Sequence, residues 1–209
     1  LFITTSTFGV DPANALHSFA HADGSFHYMG CMLSAASCNN WWMTDILRTS
    51  DFAAEQEEIT ALGENSVYFL PYLMGERSPH NDPSARAAFI GMSMDTTRAD
   101  LVQAVLEGVA FAIRDSFEVA KSLGIDIPTT KICGGGSKSP LWKQIFANVL
   151  GIPLQIVKTE QGPGYGGAML AMVGCGKFET VQACADALVE VADTVEPDEE
   201  LVQRYNEAY

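Results

Sequence analysis

The chain has 209 residues, 47% of them hydrophobic, and carries 12 basic against 26 acidic residues for a formal charge of −14. That apolar content is enough to bury a substantial core and excludes a disordered chain. The acidic balance argues against nucleic acid or an anionic membrane as the main partner, because both require clustered Lys and Arg.

An anionic ligand would therefore depend on backbone N–H groups, helix N-termini and a metal ion. Five cysteines, Cys31, Cys38, Cys133, Cys175 and Cys184, sit in apolar stretches without a Cys-x-x-Cys pair. They read as buried thiols in a reducing compartment. The uncharged runs are too short to span a bilayer as helices, so a cytoplasmic location is the expectation. The apolar start at Leu1, without an initiator Met, is expected of a piece of a longer chain.

Leu1 to Val10 and Ser25 to Met29 have strand composition. A broad apolar face predicts a helix from about Cys31 to Leu47, with a short helix and loops from Arg48 to Asn65. Val67 to Leu73 reads as a strand that Pro71 confines to an edge or terminus. Gly75 to Arg86 is too rich in turn formers for a regular element. Within it Glu76, Arg77 and His80 read either as cleft residues or as an ion-paired structural loop.

From Arg98 to Leu123 apolar residues recur at helical spacing, with Thr97 and Asp100 as a capping pair and Gly124 as the stop. Gly108 in its middle predicts close approach of a neighbouring element. Strand Thr130 to Cys133, a glycine turn, helix Leu141 to Leu150, strand Leu154 to Val157, a second glycine turn and helix Gly166 to Val173 follow in alternation. That order implies βαβ units and a parallel sheet segment. The tail from Thr180 reads as one amphipathic helix, an acidic turn around Pro197 and a final short helix.

Two glycine clusters carry the chemical interest. Gly134 to Gly136 lacks the spacing of a dinucleotide fingerprint and the Lys-Ser/Thr ending of a phosphate-binding P-loop. By shape it is either a tight turn or a ligand loop, though its place at the carboxyl end of a parallel strand suits a ligand. In Gln161 to Ala171, the bare turn at Gly166, Gly167 and Ala168 reads as close helix packing rather than ligand contact. His17, His21 and His27 lack a carboxylate or thiolate at ligand spacing and read as structural. Trp41 and Trp42 read as core or interface aromatics.

Three stretches together resemble the FGGY family of carbohydrate kinases, and within it the pentulose kinases. Ala87 to Met92, seven residues, then Asp100 to Glu107 matches the family's C-terminal signature. Tyr72 to Arg86 and Cys133 to Asn148 add to the likeness, as do His17 to His21 and Met32 to Cys38. The resemblance implies an α/β, ribonuclease-H-like (actin-like ATPase) fold with a mixed sheet flanked by helices. It implies that residues 1–209 form a single C-terminal nucleotide-binding lobe, the N-terminal sugar-binding lobe lying outside them.

ATP and Mg2+ are the implied cofactors, with a pentulose as the second substrate and a homodimer left open. By resemblance, Gly134, Gly135, Gly136 and Ser137 lie against adenosine, with Ser139 close by. Phosphates lie toward Thr5 and Ser6. There the sequence departs from the family, whose Gly-Thr-Ser-Gly turn is replaced by Thr4-Thr-Ser-Thr7, residues that resist positive φ. The general-base Asp of the family falls upstream of Leu1, so no catalytic residue is assigned within the chain. Other sugar kinases of the family, acting on gluconate, ribulose or glycerol, share this lobe. A noncatalytic actin-like module is the alternative from another class.

Overall fold

The computed structural model describes residues 1–159 and 162–209. Its first part runs β1 (Phe2–Thr5), β2 (His17–Ala20), β3 (Phe26–Met29), α1 (Ala35–Trp41), α2 (Phe52–Glu57), β4 (Tyr68–Leu70) and β5 (Ala88–Ile90). The long helix α3 (Arg98–Ser122) follows, then β6 (Thr130–Ile132), α4 (Pro140–Leu150), β7 (Leu154–Val157) and α5 (Gly162–Gly174). The chain ends with α6 (Val181–Leu188), β8 (Val191–Val195) and α7 (Glu199–Ala208). Strands β1, β3 and β2 form an antiparallel sheet, and β4 pairs antiparallel with β5. In the third sheet β6 and β7 run parallel while β8 adds antiparallel to β7. The architecture is therefore α/β with mixed pairing.

Helix α3 organises the core because its sequence is apolar on more than one face. The capping box predicted at its start is present: Thr97 accepts from Asp100 N, and the Asp100 carboxylate accepts from Thr97 N. Gly124, with φ of +78°, ends it as expected. Val102, Val105, Leu106 and Val109 are buried against Phe69 of β4 and against Trp142, Ile145 and Val149 of α4. The approach predicted at Gly108 is that of β4, whose Phe69 carbonyl oxygen lies 2.1 Å from where a Cβ would stand.

Several expectations are corrected. The helix expected from Cys31 begins at Ala35, and its last turn, Trp42–Ile46, is π-helical. His17–Ala20 is a strand, although four mixed residues carry little period-2 signal. The tail contains the strand β8 between its two helices, because Val191–Val195 finds a backbone partner in β7 that local pattern does not reveal. The close packing expected at Gly166 to Ala168 is not found: no residue of α5 is buried, and a Cβ at Gly166 or Gly167 would meet nothing within 4 Å. Gln161, which opened that cluster in the sequence, lies outside the described residues. Of the cysteines, Cys38 and Cys184 are buried, Cys31 is half-buried, and Cys133 and Cys175 are exposed. Trp42 is core, in tilted contact with Phe89.

A buried polar contact ties the C-terminal helix to this core. Glu107 of α3, 5% exposed, accepts from Gln103 Nε2 at 2.8 Å and from the Tyr205 hydroxyl at 2.7 Å. Burial pushes the Glu107 carboxyl up, with the donors from Gln103, Tyr205 and the Gly63 backbone only partly offsetting it. A carboxyl raised in the folded state contributes stability below its unfolded pKa, and that contribution is lost as pH rises through the folded value. Glu107→Gln should therefore flatten the decline of melting temperature on the alkaline side of the carboxylate range. Tyr205→Phe, which removes a bond to a buried carboxylate, should cost about 2 kcal/mol. Thermal melts at several pH values check both.

Candidate functional site

The glycine turn is held in place by the first turn of α4. Ser139 is its N-cap, with Oγ accepting from Trp142 N at 3.0 Å, and Pro140 occupies the first helical position. Trp142 is buried and donates Nε1–H to the Leu106 carbonyl of α3 at 2.9 Å, which anchors this helix start to the core. Gly134 has φ of +88°, a conformation that requires glycine, and lets the chain turn into a short 3-10 helix over Gly135–Lys138. Ser137 is buried within that turn, its Oγ donating to the Gly134 carbonyl at 2.7 Å.

Facing the turn are α1 and α2. Together they enclose a cleft of about 440 Å3 lined by Asn39, Asn40, Phe52 and Gln56 on one side and by Gly135, Gly136, Lys138 and Ser139 on the other. The Ser139 hydroxyl donates to Gln56 Oε1 at 2.6 Å and so links the two walls. Arg98 of α3 holds α2 through Glu55, with Nε–H donating at 2.7 Å, and the guanidinium keeps that carboxyl below its usual range. At Gly135 a Cβ would meet nothing within 4 Å, whereas at Gly136 it would touch the Trp142 ring at 3.2 Å.

Of the residues singled out from sequence, Gly135, Gly136 and Ser139 thus line one cleft, while Gly134 and Ser137 shape the turn behind it. Thr5 and Ser6 lie at the end of β1, outside that lining. The Thr5 hydroxyl there accepts from Thr7 N at 3.3 Å and donates to Thr7 O at 3.2 Å. Asn39, Asn40, Phe52 and Gln56 were not found from sequence. They stand about eighty or more residues from the glycine turn, on short helices with no motif of their own.

The Gly75 to Arg86 segment is built around a buried carboxylate. Glu76 Oε1 accepts from Leu33 N at 3.0 Å and Arg77 N at 2.8 Å. Burial raises its pKa against those backbone donors. His80 contacts the Tyr72 hydroxyl at 3.0 Å and Asp115 at 3.3 Å, and Arg77 Nε–H donates to His17 Nε2 at 3.0 Å. None of the three lines the cleft beside the glycine turn. His27 stacks on Phe2, with ring centroids 4.0 Å apart. Among the described residues no helix is long and apolar enough to cross a membrane.

The family described as "FGGY family of carbohydrate kinases, C-terminal domain" matches residues 4–175. The chain belongs to that family. The xylulose kinase of Staphylococcus epidermidis is 35% identical over 201 residues, covering 93% of this chain and 40% of that protein. The xylulose kinase of Bacillus subtilis is 33% identical over 193 residues, covering 91% and 39%. Among solved structures, the sugar kinase from Brucella ovis, described as a xyloylose kinase, superposes with a TM-score of 0.89 at 36% identity. That match covers all of this chain and 43% of the other. The fold is the actin-like ATPase fold of the FGGY sugar kinases. The chain spans about two fifths of the length of the curated relatives it matches.

Proposed function

We propose that residues 1–209 are the nucleotide-binding lobe of an ATP-dependent pentulose kinase, which phosphorylates D-xylulose to D-xylulose 5-phosphate when joined to a sugar-binding lobe. The observation that carries this reading is the cleft between α1, α2 and the glycine turn. Its volume of about 440 Å3 lies in the range of small-molecule sites, roughly 300–1,000 Å3. Bare backbone at Gly135 and Gly136 and the apolar surface of Phe52 and Pro140 suit the two faces of a nucleoside. Adenosine fits there. The lining contains no carboxylate, so these residues offer Mg2+ no charged ligand, and the ion would be held chiefly by the phosphates of the nucleotide.

The open space at Gly135 makes the site testable without unfolding the protein. Gly135→Val should leave the melting temperature unchanged and weaken ATP binding at least tenfold, about 1.4 kcal/mol, in calorimetry with Mg2+ present. Unchanged affinity would remove the loop from the site. For the sugar, a protein in which this lobe is joined to its sugar-binding lobe should turn over D-xylulose faster than D-ribulose, gluconate or glycerol. Preference for one of the others reassigns the substrate within the family.

A second reading, a noncatalytic nucleotide-binding module, draws on one observation. The Thr4 to Thr7 turn, where the family's phosphate loop carries glycines, closes on itself through the Thr5 hydroxyl. Sugar-dependent ATP consumption by the longer protein decides against it.

A further inference from the structure

We infer that Ser34, Glu76 and Ser78 hold a monovalent alkali cation, Na+ or K+, in a buried site where the chain enters α1. The three side chains belong to residues almost fully enclosed, at 0%, 2% and 1% exposure. Ser34 Oγ, Glu76 Oε2 and Ser78 Oγ each have no hydrogen-bond partner among the described residues. Native proteins rarely leave one buried oxygen unpaired, and three on two adjoining segments call for a common ligand.

Backbone contacts bring the three together. Leu33 N donates to Glu76 Oε1 at 3.0 Å and Ser78 N donates to the Cys31 carbonyl at 3.1 Å, so segments 31–34 and 76–78 lie side by side. Glu76 and Ser78 are buried while Arg77 between them is exposed, which turns both side chains to the same inward side. Ser34 follows Leu33 directly, and its carbonyl accepts from Cys38 N at 2.9 Å. Burial, and then the charge of Glu76, push the Cys38 thiol up to about 12. The carboxylate therefore stands against the first turn of α1, beside Ser34.

Charge decides what that ligand is. The backbone donors of Leu33 and Arg77 both go to Oε1, which leaves Oε2 bare. Glu76 takes part in none of the ion pairs among the described residues. Arg77 turns its guanidinium to His17, and His80 is engaged by Asp115 at 3.3 Å. Buried carboxylates are otherwise paired or bound to a cation. A water molecule would satisfy the two hydroxyls and leave the charge unbalanced. One carboxylate and two hydroxyls are hard oxygen ligands with a single negative charge, which matches a monovalent ion. A divalent ion fits less well, since no group of three or more His, Cys, Asp or Glu among the described residues is placed to hold a metal. Burial, which raises the Glu76 pKa, makes a proton the competitor for the site. The ion pins segment 75–86 to the start of α1, the helix that carries Asn39 and Asn40 of the cleft wall, and it does not depend on the nucleotide reading.

The test is thermal melting of the chain at mildly alkaline pH in KCl, NaCl and choline chloride mixtures of equal ionic strength, over a series of alkali-ion concentrations. K+ or Na+ should raise the melting temperature saturably over choline, by about 4 °C once the ion reaches tenfold its dissociation constant. The salt that saturates at the lower concentration names the ion. Glu76→Gln keeps the size and one acceptor oxygen for Leu33 N and Arg77 N, and should melt at the same temperature in all three salts. Ser34→Ala and Ser78→Ala leave the carboxylate in place and give a second reading: each should move the midpoint of the alkali-ion titration to higher concentration. Equal melting temperatures of the native chain in all three salts overturn the proposal, in favour of a protonated Glu76 or a buried water. A salt-specific shift that survives Glu76→Gln, or that neither serine variant moves, puts the ion elsewhere and overturns it as well.

Discussion

Gly108→Ala should lower the melting temperature by roughly 6 °C, although alanine is the better helix former by about 1 kcal/mol. The added Cβ would stand 2.1 Å from the carbonyl oxygen of Phe69, 3.0 Å from its carbonyl carbon and 3.2 Å from its Cβ. Two of these are backbone atoms of β4, and no rotamer change relieves them. Phe69 is 3% exposed and packs between α3 and Phe89, so the strand cannot retreat without opening the core. Overpacking of this kind costs about 3 kcal/mol, which outweighs the gain in propensity. A larger residue such as Val should prevent folding. The sign of the Ala effect, read from a thermal melt, separates close packing from helix propensity as the reason for this glycine.

Asp11→Ala should cost about 4 kcal/mol, the largest loss expected from removing a single polar group here. Asp11 is 4% exposed and its carboxylate accepts from Ala13 N at 2.9 Å, Ala15 N at 2.7 Å and Leu16 N at 2.9 Å. Truncation leaves the Ala15 and Leu16 donors buried and unpaired, at about 1–3 kcal/mol each. Burial alone would raise the Asp11 pKa, but the three backbone donors prevail and hold it below the usual carboxylate range. A depressed pKa means stability present above the unfolded value and lost as pH falls through the folded one. The native protein should therefore lose stability in acid through Asp11, and the Asp11→Ala variant should show a flatter acid limb. Asp11→Asn, which retains one acceptor oxygen, should fall between them.

The elements legible in the sequence are those whose signals are local. Helix α3 announces itself by its Thr97 and Asp100 box, its apolar spacing and Gly124, and the observed limits differ by one residue from those expected. Strand β7 is found at its predicted bounds because a short, mostly apolar run follows the helix stop at Gly151. Strand β8 was missed because its residues are mostly exposed and its strand character comes from pairing with β7, a partner more than thirty residues away. Helix α5 misled in the opposite way: its composition is apolar, yet none of its residues is buried.

The candidate site divides along the same line. The glycine turn and its Ser139 cap are readable because glycine and a capping serine carry meaning by position. The opposite wall is not, since Asn39 and Gln56 become neighbours of that turn only through the packing of α1 and α2 against α3. Cys133 shows the limit of composition: it follows Ile132 and reads as a buried thiol, yet it is exposed where the chain enters the glycine turn.

The central claim is that a nucleotide occupies the cleft between α1, α2 and the glycine turn. Hydrogen–deuterium exchange of the chain with and without saturating Mg-ATP tests it directly, since exchange reports local opening residue by residue. The account predicts protection in two segments far apart in sequence, Ala36 to Gln56 and Gly134 to Trp142, that share this cleft. Protection absent from both, or confined to other parts of the molecule, would contradict it.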